Sequence, residues 1–412
     1  MSLLAGLFRE KVSKLKDFNM KNEVEFPVGY STGFLAFDFR NGSIVHTIVN
    51  DKPTKYCSVG ITDGSMVMVI GRSGCGKTTW TIQAASNIIR PFKTSCIFHD
   101  DIEGGIAESR KEILSGFYGK ELTDRYISRN TGITVENFYE RVKMIYDIKM
   151  NNREDFEYDT SLYDTKGNRI YKLEPTVYIL DSLSLLIPEK LTNEDELSGQ
   201  MSTTATAKAI AQTFRRIIPM LKSANIILFI INHINQKVEL NAFARTKSQV
   251  SYLKQGETLP GGNTPVYLSN TMIRFDDHSK LKEEETFGID GTLVDLTLVK
   301  SRTSKAGKSV TLIFNQEIGY DKDLSLFLML KNAKLVNGAG AYLYLGDRSD
   351  IKFSQKKFKE KLAESEELRE VFKQLVIEHL TEELEDFNMY QQINNASNIT
   401  SDILSDLCGI SA

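Results

Sequence analysis

The sequence predicts an α/β protein whose core is a mostly parallel, twisted β-sheet. Two features of the 412-residue chain lead to this prediction. Apolar runs of strand length alternate with stretches of helical periodicity from about residue 28 to residue 330. One such run, residues 66–70, leads through a glycine-rich turn into a helical stretch at 77–89. Alternation of this kind is typical of parallel sheets whose strands are joined by crossover helices.

Further strands are predicted wherever apolar and β-branched residues occur together over a strand length. They are residues 94–99, 177–181, 226–231, 271–275, 293–299 and 310–314, and a second helix is predicted at 205–223. In an open parallel sheet, ligands bind at the carboxyl ends of the strands. Polar residues that directly follow these strands are therefore candidate site residues.

The glycine-rich turn fits the pattern G-x-x-x-x-G-K-[ST]. Its residues are Gly71, Arg72, Ser73, Gly74, Cys75, Gly76, Lys77, Thr78 and Thr79. Glycines let backbone N–H groups converge on phosphate oxygens, and the positive end of the following helix favours an anion. In such a loop Lys77 reaches the β- and γ-phosphates and the Thr78 hydroxyl binds Mg²⁺. The turn therefore predicts a nucleotide site with ATP and Mg²⁺ as its ligands.

Two other strands end in carboxylates. The apolar run that begins at Val177 ends in Asp181, whose carboxylate would lie beside Mg²⁺. A second strand is followed by Asp100, Asp101 and Glu103. Hydrolysis of ATP needs a group that polarises the attacking water, and one of these three carboxylates can supply it. Alternatively, the three form a polar strand end that caps the next helix.

The strand at 226–231 continues into Asn232 and His233. A polar residue at this position lies near the γ-phosphate edge of the sheet and can respond to the bound nucleotide. A single histidine at a strand end is more often a structural residue, and both interpretations stay open at this point.

The chain divides into segments of different character. Residues 1–27 are predicted to form a basic amphipathic arm, which either packs on its own core or docks on a neighbouring subunit. Residues 28–330 form the predicted α/β core, with an exposed β-hairpin insertion at 149–176. Residues 331–380 are predicted to form a small α/β C-terminal domain. Residues 381–412 are expected to form an acidic tail, which either has a partner or serves solubility alone.

Composition limits the classes of function. The chain carries 51 Lys and Arg against 54 Asp and Glu, and any nucleic-acid surface must therefore be a local patch. The four cysteines are too scattered for a disulfide framework or a paired metal motif, which favours a reducing compartment. Apolar runs stay short of the ~20 residues that span a bilayer. The expectation is a cytoplasmic protein without a membrane partner.

Taken in order, these motifs resemble the RecA family of homologous-recombination ATPases, and in particular its UvsX-like phage members. The resemblance runs from about residue 31 to residue 380. Residues 97–106 resemble the strand that carries the family's catalytic glutamate, and residues 231–233 resemble its nucleotide sensor. The resemblance implies a RecA-like P-loop ATPase core with an N-terminal helical arm and a small C-terminal domain.

The resemblance also implies roles for individual residues. Glu103 is the implied catalytic carboxylate, with Asp101 as the alternative, and Lys77 and His233 complete the implied catalytic site.

Residues 299–303 resemble the family motif whose two basic residues cross the subunit interface. Lys300 and Arg302 are thereby implied to contact the γ-phosphate that a neighbouring subunit holds, as an arginine finger does. Without the other motifs, a solvated basic strand end would explain these two residues equally well.

Two DNA-binding loops are implied at residues 187–205 and 235–262. In the second loop, the implied DNA-binding residues are Lys237, Phe243, Arg245, Lys247, Lys254, Gly261 and Gly262. Basic side chains contact phosphates, and aromatic side chains stack on bases.

The implied function is that of an ATP-dependent DNA recombinase, a DNA-dependent ATPase that polymerises on single-stranded DNA and catalyses homologous pairing and strand exchange. Its implied partners are single- and double-stranded DNA, further copies of the chain in a helical filament, and single-strand-binding or mediator proteins. The implied location is the bacterial cytosol, including that of a phage-infected cell. Two alternatives stay open: a hexameric RecA-fold helicase or branch-migration motor, and a nucleotide-binding regulator that handles no DNA.

Overall fold

The computed structural model describes residues 27–50, 52–164, 166–192, 199–236, 252–280 and 291–386. Nearly all of the expected N-terminal arm and most of the expected acidic tail lie outside these residues. Among the helices in the described part of the chain, none combines the length and the apolar character needed to cross a membrane.

The strands are numbered in chain order. They are β1 (Gly29–Tyr30), β2 (Ser43–Val49), β3 (Lys52–Ser58), β4 (Ile61–Thr62), β5 (Met66–Gly71), β6 (Ile97–Asp101), β7 (Tyr126–Arg129), β8 (Glu157–Tyr163), β9 (Arg169–Leu173), β10 (Thr176–Asp181), β11 (Ile226–His233), β12 (Asn235–Gln236), β13 (Glu257–Thr258), β14 (Thr271–Lys280), β15 (Gly291–Ser301), β16 (Ser309–Asn315), β17 (Gly319–Asp321), β18 (Val336–Ala339) and β19 (Tyr342–Leu345).

The α-helices follow the same order. They are α1 (Leu35–Arg40), α2 (Lys77–Ile89), α3 (Glu108–Ser115), α4 (Lys120–Arg125), α5 (Val135–Asn151), α6 (Arg153–Phe156), α7 (Glu189–Thr192), α8 (Gly199–Ser223), α9 (Asn263–Leu268), α10 (Lys322–Asn332), α11 (Phe358–Glu364) and α12 (Glu366–Asp386). Short 3-10 turns lie at Leu183–Leu185 and Gln355–Lys357.

Within the described residues, nine strands form one sheet in the order β17-β16-β15-β14-β5-β11-β10-β6-β7. Neighbours from β14 to β7 run parallel, and β15 to β17 extend the sheet antiparallel. The prediction of a mostly parallel sheet is confirmed. The strand predicted at 94–99 lies instead at Ile97–Asp101. Thr94 does not join it because its N–H and its hydroxyl both donate to the Glu174 carboxylate.

The central strand β5 is buried on both faces, as its continuous apolar sequence predicts. Val67 and Val69 lie in the apolar cluster that α2 covers. Met66, Met68 and Ile70 lie in the cluster that α5 and α8 cover. Side chains of β5 therefore alternate between two apolar layers, with a period of two residues. The phosphate-loop motif begins where β5 ends, between these layers.

Two hairpins project from the core. In the predicted insertion at 149–176, β8 and β9 pair antiparallel, with alternate residues of β8 exposed. Its first residues are helical, because the apolar face of α5 stays buried against the core and the helix continues to Asn151. The second hairpin, β2 with β3, lies between α1 and β4.

The C-terminal unit contains the β18–β19 hairpin, α11 and α12. Helix α12 runs to Asp386, past the domain end predicted at residue 380. Its buried side chains Phe372, Val376, Leu380 and Leu384 recur every fourth residue and belong to the same apolar cluster as Trp80 of α2. The C-terminal unit and the core therefore share one apolar interior.

Lys149 gives a testable pH dependence. Its buried Nζ donates to the Glu174 carbonyl and the Thr176 hydroxyl, and burial lowers its pKa to about 7. Between about pH 7 and pH 10 the unfolded chain therefore binds a proton that the folded protein lacks, and stability rises with pH. We expect Lys149→Met to remove part of this rise, measured by urea unfolding across that range. Lys143→Met, on the exposed face of α5, is the control; equal slopes in wild type and Lys149→Met would contradict the lowered pKa.

Candidate active site

The predicted phosphate loop, residues 71–79, joins β5 to α2. Gly74 and Gly76 have φ of 80° and 77°, a region that disfavours residues with a side chain. A Cβ on Gly76 would also lie 2.5 Å from the Tyr320 hydroxyl oxygen. The backbone conformation therefore favours glycine at positions 74 and 76, and the close contact with Tyr320 also favours it at position 76.

Tyr320 supports the loop from inside the core. It is buried, and its hydroxyl donates to the Cys75 carbonyl at 3.0 Å. Its backbone N–H donates to Gln83 Oε1 of α2 at 2.9 Å. No sequence motif pointed to Tyr320, because it lies on β17 at the edge of the sheet and no strand was predicted there.

Lys77 lies within the loop as its first helical residue. Its Nζ donates to the Arg72 carbonyl at 2.7 Å and lies 3.5 Å from His233 Nδ1. Burial lowers the pKa of Lys77. A phosphate anion beside this ammonium would supply the charge partner that the buried position lacks.

Thr78 and Asp181 form the predicted metal-binding pair. The Thr78 hydroxyl donates to Asp181 Oδ2 at 2.6 Å. Asp181 Oδ1 is buried and has no hydrogen-bond partner among the described residues. Burial raises the pKa of Asp181 to about 7. These oxygen donors fit Mg²⁺, because a hard cation would satisfy the unpaired oxygen and stabilise the ionised carboxylate.

The carboxylates of Asp100 and Asp101, at the end of β6, and of Glu103, just after it, have different environments. Asp100 accepts from the Tyr178 hydroxyl and pairs with Arg141. Asp101 accepts from the backbone N–H groups of Gly104 and Ile106, at 2.9 and 3.3 Å. Both carboxylates thus stabilise the local structure, but neither caps α3, whose N-cap residue is Ala107 and has no side-chain capping hydrogen bond.

Glu103 differs from both. Its side chain is 41% exposed, and its Oε1 lies 2.6 Å from His233 Nε2. Lys77, His233 and Glu103 therefore form one continuous polar chain beside the phosphate loop. Asp101, the alternative catalytic carboxylate, has both oxygens occupied by the turn.

Asn232 connects this chain to the second predicted DNA loop. It is fully buried, and its Nδ2 donates to the Pro260 carbonyl at 2.8 Å. Gly261 and Gly262 follow with φ of 89° and 77°, and Gly262 directly precedes α9. The turn that closes the loop is thus attached to the residue next to His233.

An ion-pair network that the sequence analysis missed lies at the base of the same loop. Glu257 is buried in β13 and accepts two hydrogen bonds from Arg274, at 2.7 and 2.9 Å. Its Oε1 also lies 3.9 Å from Arg72 of the phosphate loop. A signal was available, since Arg274 interrupts the apolar strand 271–275.

The predicted DNA-binding residues are only partly described. Lys237, Phe243, Arg245 and Lys247 lie outside the described residues. Lys254 is described: its Nζ pairs with Asp276 at 2.9 Å while its side chain stays 65% exposed. In the first predicted loop, α8 begins at Gly199, earlier than the predicted helix start at residue 205.

Lys300 and Arg302 lie away from the phosphate loop of their own chain. Lys300 pairs with Met272 of β14, and Met272 pairs with Met68 of β5. Met68 lies three residues, or about 10 Å, before the end of β5. Lys300 Nζ donates to the carbonyls of Val266 and Tyr267, and Arg302 donates to the Tyr267 carbonyl. The fold therefore brings Lys77, Thr78, Asp181, Glu103 and His233 together and leaves these two cations toward the opposite end of the central strand.

A large, mostly parallel sheet with these strand ends is consistent with a RecA-like core. No protein-family model matches the chain. The chain is similar to the proteins named "Protein RecA" from Acholeplasma laidlawii and from its strain PG-8A. Each is 22% identical over 173 residues, which are 41% of this chain and 46% of the relative. The chain thus spans about half the length of these curated relatives, and the similarity supports a distant relationship to RecA.

Tyr320→Phe should destabilise the phosphate loop. The variant leaves the buried Cys75 carbonyl without its donor, which costs about 1–3 kcal/mol. We expect a loss of this size in the free energy of unfolding, measured in urea without nucleotide. Tyr267→Phe, at a 68% exposed tyrosine, is the control and should change stability little. Equal effects of the two variants would contradict the supporting role of Tyr320.

Proposed function

We propose that this protein is a UvsX-like DNA recombinase that uses ATP, polymerises on single-stranded DNA, and catalyses homologous pairing and strand exchange. The observation that carries the proposal is the path from Lys77 through His233 and Asn232 to Pro260. This path joins a phosphate loop to the segment that resembles the family's second DNA loop. The distant similarity to RecA supports the same class of function.

The proposed reaction is hydrolysis of ATP. The loop N–H groups and Lys77 would bind the phosphates, and Thr78 and Asp181 would hold Mg²⁺. When bound, Mg²⁺ neutralises charge on the β- and γ-phosphate oxygens. Glu103 would orient the attacking water, because it is more exposed than Asp100 and Asp101, which are buried. His233 would sense the γ-phosphate, since it lies between Lys77 and Glu103.

Nucleotide binding would act on DNA through the second loop. A γ-phosphate that draws Lys77 away from His233 would alter the contacts at the end of β11, to which Asn232 attaches the loop turn. Order–disorder switching of this kind is a known response to a γ-phosphate. Lys254, Gly261 and Gly262, with the basic and aromatic residues of 237–247, would then contact the DNA strand.

Hydrolysis would need a second copy of the chain. Lys300 and Arg302 lie toward the far end of the central strand from their own phosphate loop. They can contact a γ-phosphate only if another subunit presents it, which supports a homo-oligomer with its sites between subunits. We place this assembly in the bacterial cytosol, with mediator or single-strand-binding proteins as further partners.

Electron microscopy with single-stranded DNA and a non-hydrolysable ATP analogue tests the proposal directly. Regular helical filaments, absent for Lys77→Ala, are the expected result. Closed rings would indicate a helicase or branch-migration motor instead. Assemblies that form with ATP but never respond to DNA would indicate a nucleotide-dependent regulator.

Glu103→Gln should abolish DNA-stimulated hydrolysis while ATP binding persists, because the amide cannot take a proton from water. ATP affinity is measured with a fluorescent analogue, and hydrolysis by phosphate release. Asp101→Asn is the comparison and should mainly lower stability, because Asp101 holds the turn at Gly104. If Asp101→Asn alone abolished hydrolysis, the assignment of Glu103 would be wrong.

Arg302→Ala should abolish hydrolysis at the neighbouring subunit and leave nucleotide binding by the monomer intact. Mixing it with Glu103→Gln subunits should restore activity, because these subunits cannot hydrolyse ATP but still present Lys300 and Arg302. The mixture is titrated at constant total protein and phosphate release is followed. Activity that stays absent at every ratio would contradict a role in trans.

A further inference from the structure

Arg40, at the end of α1, connects three parts of the molecule. Its guanidinium donates to the Ser309 carbonyl of β16 at 2.8 Å and to Glu383 of α12 at 2.9 Å. Its own carbonyl accepts from the Ser304 hydroxyl at 3.1 Å and from Lys308 Nζ at 3.2 Å. All of these partners except Glu383 lie in or directly after the turn that joins β15 to β16.

Asn41, the residue after α1, forms hydrogen bonds with the start of the same turn. It is buried, and its Nδ2 donates to the Gly60 carbonyl at 2.8 Å. Its Oδ1 accepts from the Ser301 hydroxyl at 3.0 Å, and its carbonyl accepts from the Thr303 hydroxyl at 3.3 Å. Ser301 and Thr303 flank Arg302. The end of α1 therefore sets the backbone on both sides of one proposed trans cation.

Glu383 is held in place from the opposite side. Leu380 and Leu384 of α12 are buried in the core, which fixes the helix beside α1. Glu383 Oε2 is buried without a partner among the described residues, and His379 Nε2 lies 3.5 Å from Oε1. A carboxylate with one unpaired buried oxygen is stabilised by its cationic partner, and losing Arg40 would remove the guanidinium that lies 2.9 Å from Glu383 Oε1.

We propose that Arg40 is a positioning residue for the trans cations Lys300 and Arg302, and that Glu383 holds it in that position. The C-terminal helix thereby controls hydrolysis at the neighbouring subunit, although neither Arg40 nor Glu383 touches the nucleotide. This inference rests on the proposed function. It adds a route by which a partner bound to the C-terminal unit can change the ATPase rate.

The test compares Arg40→Gln and Glu383→Gln with Glu382→Gln. The control makes the same charge change as Glu383→Gln one residue away, at an exposed position of α12. We expect kcat for DNA-stimulated hydrolysis to fall on the order of tenfold in both test variants, because small displacements of a catalytic group cost this much or more. KM for ATP should not change, since the cations act on the transition state. The double variant should be no slower than the slower single variant.

A mixing experiment separates positioning from a general loss of structure. Glu103→Gln subunits supply correctly placed Lys300 and Arg302, and adding them to Arg40→Gln or Glu383→Gln subunits should raise hydrolysis toward the wild-type rate. No rescue at any ratio, or an equal loss of kcat in Glu382→Gln, overturns the inference. If Arg40→Gln does not fold, judged by circular dichroism, Glu383→Gln with its control decides alone.

The proposed function and the positioning role fail in different ways. Wild-type protein without DNA-stimulated hydrolysis contradicts the proposed function itself. Wild-type hydrolysis that Arg302→Ala abolishes, but that Arg40→Gln and Glu383→Gln leave at the control rate, contradicts only the positioning role.

Discussion

The site depends on the burial of two opposite charges beneath one glycine-rich loop. Burial lowers the pKa of Lys77 and raises that of Asp181, so that each ionised form is less stable there than in water. In the described residues the two are stabilised by a carbonyl, a histidine and a hydroxyl. A polyphosphate with a divalent cation supplies a charge partner to each. The electrostatics of the loop therefore match this class of ligand.

Register places the other site residues around this pair. Asp181 is level with Asp101 on one side and Ile231 on the other, and His233 is level with Gly71. Because these strands are parallel, four chain segments distant in sequence end at one edge of the sheet. A one-residue slip of β11 would turn His233 away from Lys77 and Asn232 away from Pro260. The apolar alternation that fixes the register therefore also connects Lys77 to the segment that ends at Pro260.

The opposite end of the sheet has a separate organisation. There Lys300 and Arg302 contact the end of α9, while Arg40 and Asn41 hold the turn that follows. Helix α12 reaches this region from the C-terminal unit through Glu383. If the proposed function is correct, one chain carries one part of the site at each end of its central strands. A head-to-tail assembly would bring the two halves together and would make the C-terminal helix part of each junction.

Local sequence predicted seven of the nine strands described in the main sheet, the phosphate loop and the polar residues at the strand ends, because apolar periodicity and turn chemistry act over a few neighbouring residues. It did not predict the short strands β7 and β17 at the two edges. It did not separate Glu103 from Asp101, since both follow the same strand and only the turn at Gly104 and Ile106 shows that Asp101 is occupied. Tyr320, the Glu257–Arg274 pair and the Arg40–Glu383 pair also had to come from the tertiary structure. Each joins residues far apart in the chain or on different elements, and such contacts are specified by the packing of the whole core and leave no periodic trace in the sequence.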